Sequence, residues 1–394
     1  MIICSGLVFL MVPGLALFYG GLVKRQNVLS TTMHSFILLG LGSLVWAAIG
    51  YSLAFGGDLG GLIGGFDHVF LKGVGLEPDG PTDTIPHVLF MTFQMMFACL
   101  TPALISGAYA ERIKFSAMWV FSLLWLIFIY SPLAHWVWGG GWLAQLGALD
   151  FAGGAVVHMS SGAAALAAAH ALGRRRSLEY GENGPHNLPL TLLGAGLLWF
   201  GWFGFNAGSA LAANGLAGSA LAATHLATAA AVIGWLVAET RHTGKPTTFG
   251  AGSGALAGLV AITPGAGFVS PVNAIIIGFI GGIVCYGGVL LKSRFKYDDA
   301  LDVVGIHGFG GTWGALATGL WASEAVGGVN GLFYGQPRQL WIQFISVVAT
   351  WAFCYAGSRL ILALVGAFTP LRVSEDEELG GLDLGEHNER AYRF

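Results

Sequence analysis

Long apolar runs, separated by short polar segments, follow one another along almost the whole chain. Most of them approach the ~20 residues that an α-helix needs to cross the hydrocarbon core of a bilayer. The pattern therefore predicts an all-α polytopic membrane protein with eleven membrane-spanning helices. We number these spans 1 to 11 in chain order, and they cover residues 1–23, 30–55, 86–110, 115–134, 152–172, 188–211, 216–238, 248–263, 272–292, 301–321 and 338–368.

The composition supports this fold class. Of the 394 residues, 55% are hydrophobic and only 10% are charged, whereas soluble domains contain about 25% charged residues. Glycine is abundant, with 62 residues, and small residues allow membrane helices to pack closely. The four cysteines lie in apolar runs without a CxxC pair. We therefore expect buried, inert thiols rather than disulfides or a metal site.

Basic residues divide the loops into two classes. They follow each odd-numbered span up to span 9, as Lys24, Arg25, Arg112, Lys114, Arg174, Arg175, Arg176, Arg241, Lys245, Lys292, Arg294 and Lys296. In the opposite loops the only basic residues are Lys72 and Arg338, and the loop 56–84 is acidic. Because positively charged loops stay in the cytoplasm, we predict an inner (cytoplasmic) membrane protein. Its N-terminus is outside and its C-terminus is in the cytoplasm.

This orientation gives the two halves of the chain opposite topologies. Spans 1–5 (about residues 1–172) and spans 6–10 (about 188–321) are predicted to form two inverted five-helix repeats. Span 11 (338–368) is an additional long helix. We therefore expect one membrane domain, 1–369, followed by a cytoplasmic tail, 370–394.

Two histidines occupy matched positions in the two halves. His158 and His307 each lie eight residues after an aspartate, Asp150 and Asp299 respectively. An ionisable residue inside a membrane is costly, so it indicates a function by default. A matched pair near the midplane of an inverted repeat indicates a transport path. Small residues also occupy equivalent positions after each histidine: Gly162 and Ala165, Gly311 and Gly314.

Several short motifs resemble those of one family. They are Phe18–Gly21 (FYGG), Phe93–Ala98 (FQMMFA), Ala110–Arg112 (AER), His135–Gly141 (HWVWGGG), Asp150–His158 (DFAGGAVVH), Gly201–Ser209 (GWFGFNAGS), Gly305–Gly308 (GIHG) and Gly381–Gly385 (GLDLG). In this order, over essentially the whole chain, they resemble the Amt/Mep/Rh ammonium transporter family, and within it the bacterial Amt branch. The resemblance implies a homotrimer with a separate pore in each subunit.

The resemblance also implies an outer ammonium site. Its residues are Trp138, Phe97 and Ser209, and Phe97 and Phe205 form a stacked gate beneath it. A ring face attracts a desolvated cation by about 2 kcal/mol, and a hydroxyl oxygen accepts a hydrogen bond that an alkali ion has no proton to donate. Taken alone, Trp138 is equally typical of an interfacial aromatic belt, and single phenylalanines usually pack or face lipid.

Within the membrane, the resemblance implies that His158 and His307 are hydrogen-bonded to each other in the pore lumen. A lone histidine on an apolar face is more often a packing residue. Asp150 is expected to cap span 5, which contributes ~1 kcal/mol, and to orient the outer site without binding the substrate. The remaining histidines lack a matched partner and are interpreted as packing or surface residues: His34, His68, His87, His135, His170, His186, His225, His242 and His387.

These residues predict transport of ammonium that loses a proton before it crosses. An amine-like pKa of about 9 makes deprotonation at pH 7 cost ~3 kcal/mol. Carrying a cation through an apolar pore costs about 3 to 17 kcal/mol. We therefore expect neutral ammonia to pass the histidines, with no cofactor, metal or catalytic residue. We also expect no nucleic-acid partner.

The tail 370–394 is polar and partly acidic, a composition typical of a disordered terminus. Its Gly381–Gly385 motif resembles a regulatory tail, which implies a PII-type signal protein as a partner. Two other functions remain open. An ammonium sensor would use the same residues without conduction. An intramembrane protease could use Ser209 with a histidine, although no nucleophile-elbow or HExxH motif is present.

Overall fold

The computed structural model describes residues 1–178 and 184–392. Within this part of the chain, nine helices are long and apolar enough to cross a membrane. They are spans 1–7, 9 and 11, at Ile2–Leu22, Arg25–Phe55, His87–Tyr109, Phe115–Leu146, Gly154–Leu172, Leu188–Gly208, Gly215–Thr243, Pro271–Phe295 and Pro337–Phe368. Span 8 is the shorter helix Thr248–Ile262, and span 10 consists of Val304–Gly308 and Phe309–Trp321. The predicted polytopic helical fold is confirmed.

Four of the spans contain a π-helical turn. These turns lie at Trp46–Gly50, Leu126–Tyr130, Gly154–Met159 and Val304–Gly308. Apolar periodicity does not predict them, because one wider turn leaves the apolar character of a span unchanged. Such turns are rare and occur frequently at functional sites. The last two contain His158 and His307.

Close glycine contacts show the relative direction of the first helix of each half. A Cβ atom at Gly21 would collide with Thr191, and a Cβ atom at Gly201 would collide with Met11. The end of span 1 therefore lies beside the start of span 6, and the two helices run antiparallel. Spans that open two inverted repeats are expected to have this arrangement.

The two ends of the helix bundle differ. We call the end that carries the loops after the odd-numbered spans the basic face, and the other end the opposite face. The opposite face contains a short hairpin, in which Asp58–Leu59 pairs antiparallel with Ile63–Gly64. His135 holds this hairpin, since its Nε2 lies 2.9 Å from Asp58 Oδ1 and its Nδ1 lies 3.0 Å from the Ala54 carbonyl. The hairpin is a small exception to an otherwise all-α fold.

A buried ion-pair network joins the loops of the basic face. Arg175 contacts Glu111 at 2.7 Å and Asp298 at 2.9 Å, and Arg112 donates to the backbone carbonyl of Asp298. Burial by itself would raise the pKa of Asp298, but the hydrogen bonds and charge of Arg175 outweigh it and hold that pKa below its ordinary value. The network therefore ties the loops after spans 3, 5 and 9 together.

The described part of the tail is folded, unlike the disordered terminus that its composition suggests. It forms helices Glu375–Gly380 and Leu382–His387. Asp383 accepts a hydrogen bond from the Ser30 backbone N–H at the start of span 2 (2.8 Å), and Glu378 accepts one from the Arg176 backbone N–H in the loop after span 5 (2.7 Å). Residues at the basic face thus supply partners that the tail lacks by itself. The last two residues of the predicted tail, 393–394, lie outside the described residues.

Candidate functional site

An aromatic cavity of about 280 Å³ opens near the opposite face. Trp138, Phe97 and Ser209, which are far apart in the sequence, line it together, and Phe151 and Gln94 also contribute. Trp138 caps the helix Ser131–Val137 in span 4, Phe97 lies on span 3, and Ser209 ends span 6. The structure thus brings the three residues of the predicted outer site into one cavity.

Hydrogen bonds set the orientation of two of these side chains. The indole N–H of Trp138 donates to the Asp150 carbonyl oxygen at 2.9 Å, which fixes the orientation of the ring. The Ser209 hydroxyl donates to the Phe205 carbonyl oxygen at 2.8 Å. Because that bond uses its only hydrogen, the Ser209 oxygen can act only as an acceptor toward the cavity. An acceptor beside ring faces fits a small cation that carries N–H donors.

A column of rings leads from this cavity into the interior of the bundle. Trp138 meets Phe97 edge to face, with centroids 6.1 Å apart, and Phe97 packs on Phe205 at 4.3 Å. His158 then stacks on Phe205 at 5.9 Å and on His307 at 5.2 Å. Phe97, Phe205, His158 and His307 are all buried. The residues of the predicted gate and of the predicted histidine pair therefore belong to one continuous column of rings.

The two histidines face each other through their δ nitrogens. Nδ1 of His158 lies 3.2 Å from Nδ1 of His307, so one ring donates and the other accepts. Nε2 of His158 is buried and has no hydrogen-bond partner among the described residues. A buried polar atom without a partner costs about 1–3 kcal/mol. This cost is consistent with a polar molecule that visits the nitrogen.

Small residues bring the two histidine turns together. A Cβ atom at Gly162 of span 5 would collide with the Gly308 backbone, next to His307. A Cβ atom at Gly311 of span 10 would contact the His158 Cβ and Gly154 O. The matched glycines 162 and 311 therefore make reciprocal contacts. They allow the spans to cross closely enough for the imidazoles to meet.

The matched aspartates hold the start of each histidine turn. Asp150 accepts hydrogen bonds from the backbone N–H groups of Gly153, Gly154, Ala155 and Val156, at 2.8, 2.6, 2.8 and 3.3 Å. Asp299 accepts one from Val304 at 2.7 Å. Both aspartates thus bond the amide five positions along the chain. The Asp150 carboxylate oxygens accept hydrogen bonds from the backbone, and Asp150 is not among the residues that line the cavity.

A second group of polar rings was not predicted as part of the site. Nε2 of His87 lies 2.6 Å from the Tyr51 hydroxyl, and its Nδ1 lies 3.6 Å from Asp79 Oδ1. The rings of His68 and His87 are in edge contact at 5.2 Å. No spacing motif links these residues, since they come from span 2, the following loop and the start of span 3. The sequence feature that could have indicated this group is the loop 56–84, which is acidic and unusually long for this chain.

Comparison with known proteins places these features in a family. A model described as the Ammonium Transporter Family matches residues 1–392. The chain is 55% identical to an ammonium transporter of Bacillus subtilis, covering all of this chain and 97% of that one. It is 48% identical to the ammonium transporter Amt1 of Archaeoglobus fulgidus, covering 98% of this chain and 97% of the other.

Solved structures share the fold. A crystal structure of Mep2 from Saccharomyces cerevisiae superposes with a TM-score of 0.89 at 36% identity, covering 95% of this chain and 86% of that one. A protein described as a sensor Amt protein superposes with a TM-score of 0.91 at 32% identity, covering 98% and 96%. The matches extend over the same spans that carry the ring column. The chain is a multi-pass membrane protein that belongs to the ammonium transporter family.

Proposed function

We propose that this protein recruits ammonium from the opposite face, removes one proton near Phe97, and passes ammonia along the histidine pair. The observation that carries the proposal is the unbroken ring column from Trp138 to His307. One end presents ring faces and a hydroxyl acceptor to solvent. The other end presents imidazole edges inside an apolar lumen. The two ends suit ammonium and ammonia respectively.

Recruitment is supported by the chemistry of the aromatic cavity. Trp138 and Phe97 attract a cation through their ring faces, by about 2 kcal/mol when it is desolvated. The Ser209 oxygen can only accept a hydrogen bond in this geometry, so it favours ammonium over an alkali ion. Potassium keeps the attraction to the rings but loses the hydrogen bond.

Loss of the proton is favoured by the gate. Phe97 and Phe205 are fully buried and in van der Waals contact, and a ring-lined constriction excludes hydrated ions. Removing the proton costs ~3 kcal/mol at pH 7, which is at or below the cost of taking a cation through an apolar pore. Below the gate, the free Nε2 of His158 offers a polar contact to ammonia.

The charge of the loops supports an orientation. We assign the basic face to the cytoplasm because positively charged loops remain there. The N-terminus is then outside, the tail is inside, and the protein lies in the inner membrane. The aromatic cavity therefore faces outward, where external ammonium would be captured.

Two kinds of partner follow from the family resemblance. We propose a homotrimer in which each subunit has its own pore. We also propose that the folded tail, together with the loops it contacts, is the site at which a PII-type protein acts. The tail is hydrogen-bonded to the start of span 2 through Asp383 and to the loop after span 5 through Glu378. A protein that displaced it would therefore disturb several loops at once.

Sensing is the second candidate, because a sensor Amt protein shares the fold over 98% of this chain. Transport requires ammonium or ammonia to move through the ring column, whereas sensing requires only that ammonium binds. The test uses liposomes that contain only this chain, with ammonium or methylammonium outside. Uptake that saturates with concentration and is not matched by potassium supports transport. Saturable binding without uptake would contradict the proposed transport and favour the sensor.

A further inference from the structure

Span 11 carries one charge on a face that is otherwise apolar. Its outward residues recur every three or four positions, and the large exposed ones are Trp341, Phe344, Val348, Leu360, Leu364 and Phe368. Arg359 is exposed on the same stripe, and it is the single charged residue between Trp341 and Phe368. A charged side chain within a membrane span is costly, so it indicates a function by default.

The position of Arg359 along span 11 places it near the edge of the hydrocarbon core. The helix Pro337–Phe368 has 32 residues, which gives a length of about 48 Å, whereas the core is ~30 Å thick. With the excess shared between both ends, the helix extends about 9 Å beyond the core on each side. Arg359 precedes Phe368 by roughly 14 Å along the axis, so its Cα lies about 5 Å inside the core. An arginine at that depth extends its charged group to the interface.

No acidic side chain neutralises Arg359 within the described part of the chain, where it forms neither an ion pair nor a hydrogen bond. It lies close enough to His170 for their charges to interact. His170 Nδ1 and the Tyr355 hydroxyl are 3.0 Å apart and bond each other, and the His170 ring also contacts the Tyr297 ring at 6.2 Å. None of these neighbours supplies a negative charge. The guanidinium donors therefore remain available to a ligand.

A basic cavity of about 590 Å³ lies beside this cluster, and Tyr297 lines it. Arg174 and Lys296 also line the cavity and are exposed. Neither forms an ion pair with a described residue. The acidic residue that lines the cavity, Asp298, is already paired with Arg175. The cavity therefore has an excess of positive charge at the level of the membrane surface.

We propose that Arg359, together with the basic cavity beside it, binds the headgroup phosphate of an anionic phospholipid in the inner leaflet. The proposal rests on the proposed orientation, in which the basic face is cytoplasmic. A guanidinium can form two parallel hydrogen bonds to phosphate oxygens. Arg174 and Lys296 add positive charge near the headgroup, and basic residues at the cytoplasmic surface attract anionic lipids. The exposed side chains of Leu360 and Leu364 contact the acyl chains.

The surroundings of Arg359 favour a lipid over a free anion. A lipid phosphate already lies at the depth that the guanidinium reaches, whereas a free phosphate would have to leave water to reach it. The apolar stripe around Arg359 offers a free anion no polar contact, but it can pack against acyl chains. One lipid molecule thus matches both the charge and the apolar surface.

Lipid binding to the detergent-solubilised full chain tests the proposal. Mass measurement of the intact protein counts bound lipids as phosphatidylglycerol is titrated, with phosphatidylcholine as the neutral comparison. One binding step should prefer phosphatidylglycerol, and R359Q should weaken that step by roughly tenfold, because a charge-assisted bidentate contact is lost. K296Q should weaken it by about fivefold. R359K keeps the charge without the planar fork, so it should lose less than R359Q.

R338Q is the matched control. Arg338 is an exposed arginine of the same helix, but it lies in the first turn, at the opposite face. Phosphatidylglycerol affinity should therefore be unchanged in R338Q. An equal loss in R338Q and R359Q would show a general effect of removing charge from span 11, and would overturn the proposal.

Four other results would also overturn it. They are unchanged phosphatidylglycerol binding in R359Q, equal binding of phosphatidylcholine at the same step, and displacement of the lipid by millimolar inorganic phosphate, which would show a free-anion site. The fourth is an R359Q protein that loses its oligomeric state but keeps its lipid, which would show a contact between copies. If R359Q does not fold, unchanged affinity in both R174Q and K296Q contradicts the proposal instead. Uptake through the pore is measured separately, so failure of the lipid site leaves the proposed function intact.

Discussion

At the scale of single residues, geometry distinguishes side chains that composition treats alike. Trp136 and Trp138 lie two positions apart at the outer end of span 4, yet only Trp138 lines the aromatic cavity. Trp136 donates to the Leu62 carbonyl oxygen and packs on Phe353. Likewise, His170 on span 5 is exposed and contacts Tyr355, whereas His158 on the same span is buried. The role of each ring depends on its neighbours.

Trp138→Leu should raise the half-saturating ammonium concentration roughly 30-fold. The cation–ring attraction of about 2 kcal/mol is lost, and each 1.4 kcal/mol corresponds to about a tenfold change in affinity. Concentration-dependent uptake into liposomes measures the effect. Trp136→Leu is the control and should leave the half-saturating concentration unchanged. An unaltered value in Trp138→Leu, with the protein correctly assembled, would remove Trp138 from the site.

His158→Ala and His307→Ala should each slow ammonium transport by one to two orders of magnitude, because a lost buried partner costs roughly 1–3 kcal/mol. The double variant should lose much less than the sum of the two, since the second change removes a ring that is already unpaired. Ammonium and potassium currents measure rate and selectivity.

His170→Ala, on the same span but exposed, is the control for the histidine pair and should behave like the unmodified chain. Full ammonium transport with unchanged selectivity in both single variants and in the double variant would show that the pair only packs. In that case the deduction from the matched Asp–His spacing would be wrong.

At the scale of elements, each of the two π-helical turns that contain His158 and His307 begins at backbone N–H groups that an aspartate holds. The Asp150 carboxylate satisfies four N–H groups at the start of span 5 that have no carbonyl partner within the helix. Asp299 does the same for span 10 with fewer bonds, and its Oδ1 has no hydrogen-bond partner among the described residues. The wider turns then direct His158 and His307 toward each other. A cap at the start of each element therefore controls the position of a ring several residues later.

Asp150→Asn should destabilise the fold more than Asp299→Asn. The amide group directs a donor at two N–H groups and loses the charge, and each hydrogen bond to a charged group contributes about 1.5–3 kcal/mol. The thermal unfolding midpoint in detergent measures the difference. Equal midpoints for the two variants would contradict the assigned capping role. A change in ammonium affinity with no change in stability would indicate that Asp150 contacts the substrate.

At the scale of the whole molecule, the pore and the tail lie at separate ends. The residues of the ring column all precede span 11, and the described tail is hydrogen-bonded to loops and helix starts at the basic face. The tail is held beside the ion-pair network, because Arg372 donates to the backbone carbonyls of Leu172 and Arg174, which precede Arg175. The tail is thus placed to influence loop positions without forming part of the pore.

Deleting the residues after Ser374 should leave the pore formed, while lowering activity or abolishing inhibition by a PII-type protein. The reason is that Glu378 and Asp383, which bond the tail to the loops, are removed together. Uptake with and without the signal protein measures both effects. E375Q is the control, since its ion pair with Arg176 is about half-exposed and such pairs contribute little. A truncated chain that still transports and is still inhibited would contradict the regulatory assignment.

Much of this protein could be predicted from one-dimensional patterns. The spans follow from the length and apolarity that a bilayer demands, and the topology follows from where lysine and arginine occur in the loops. The spacing of Asp150 to His158, repeated at Asp299 to His307, is also a property of the linear chain. Membrane insertion imposes these constraints segment by segment, so they are visible before any helix packs on another.

Other features depend on contacts between residues that are distant in the sequence. The crossing of spans 5 and 10 needs Gly162 to meet the backbone of Gly308, and no local pattern shows which glycines meet. The 3.2 Å contact of the histidines results from that crossing. His87 was interpreted as a packing or surface residue because it has no matched partner in the sequence, whereas in the fold it contacts Tyr51 and Asp79 from other segments. Hydrogen bonds and ring stacking act over a few ångströms, so their partners are known only when packing has placed the segments side by side.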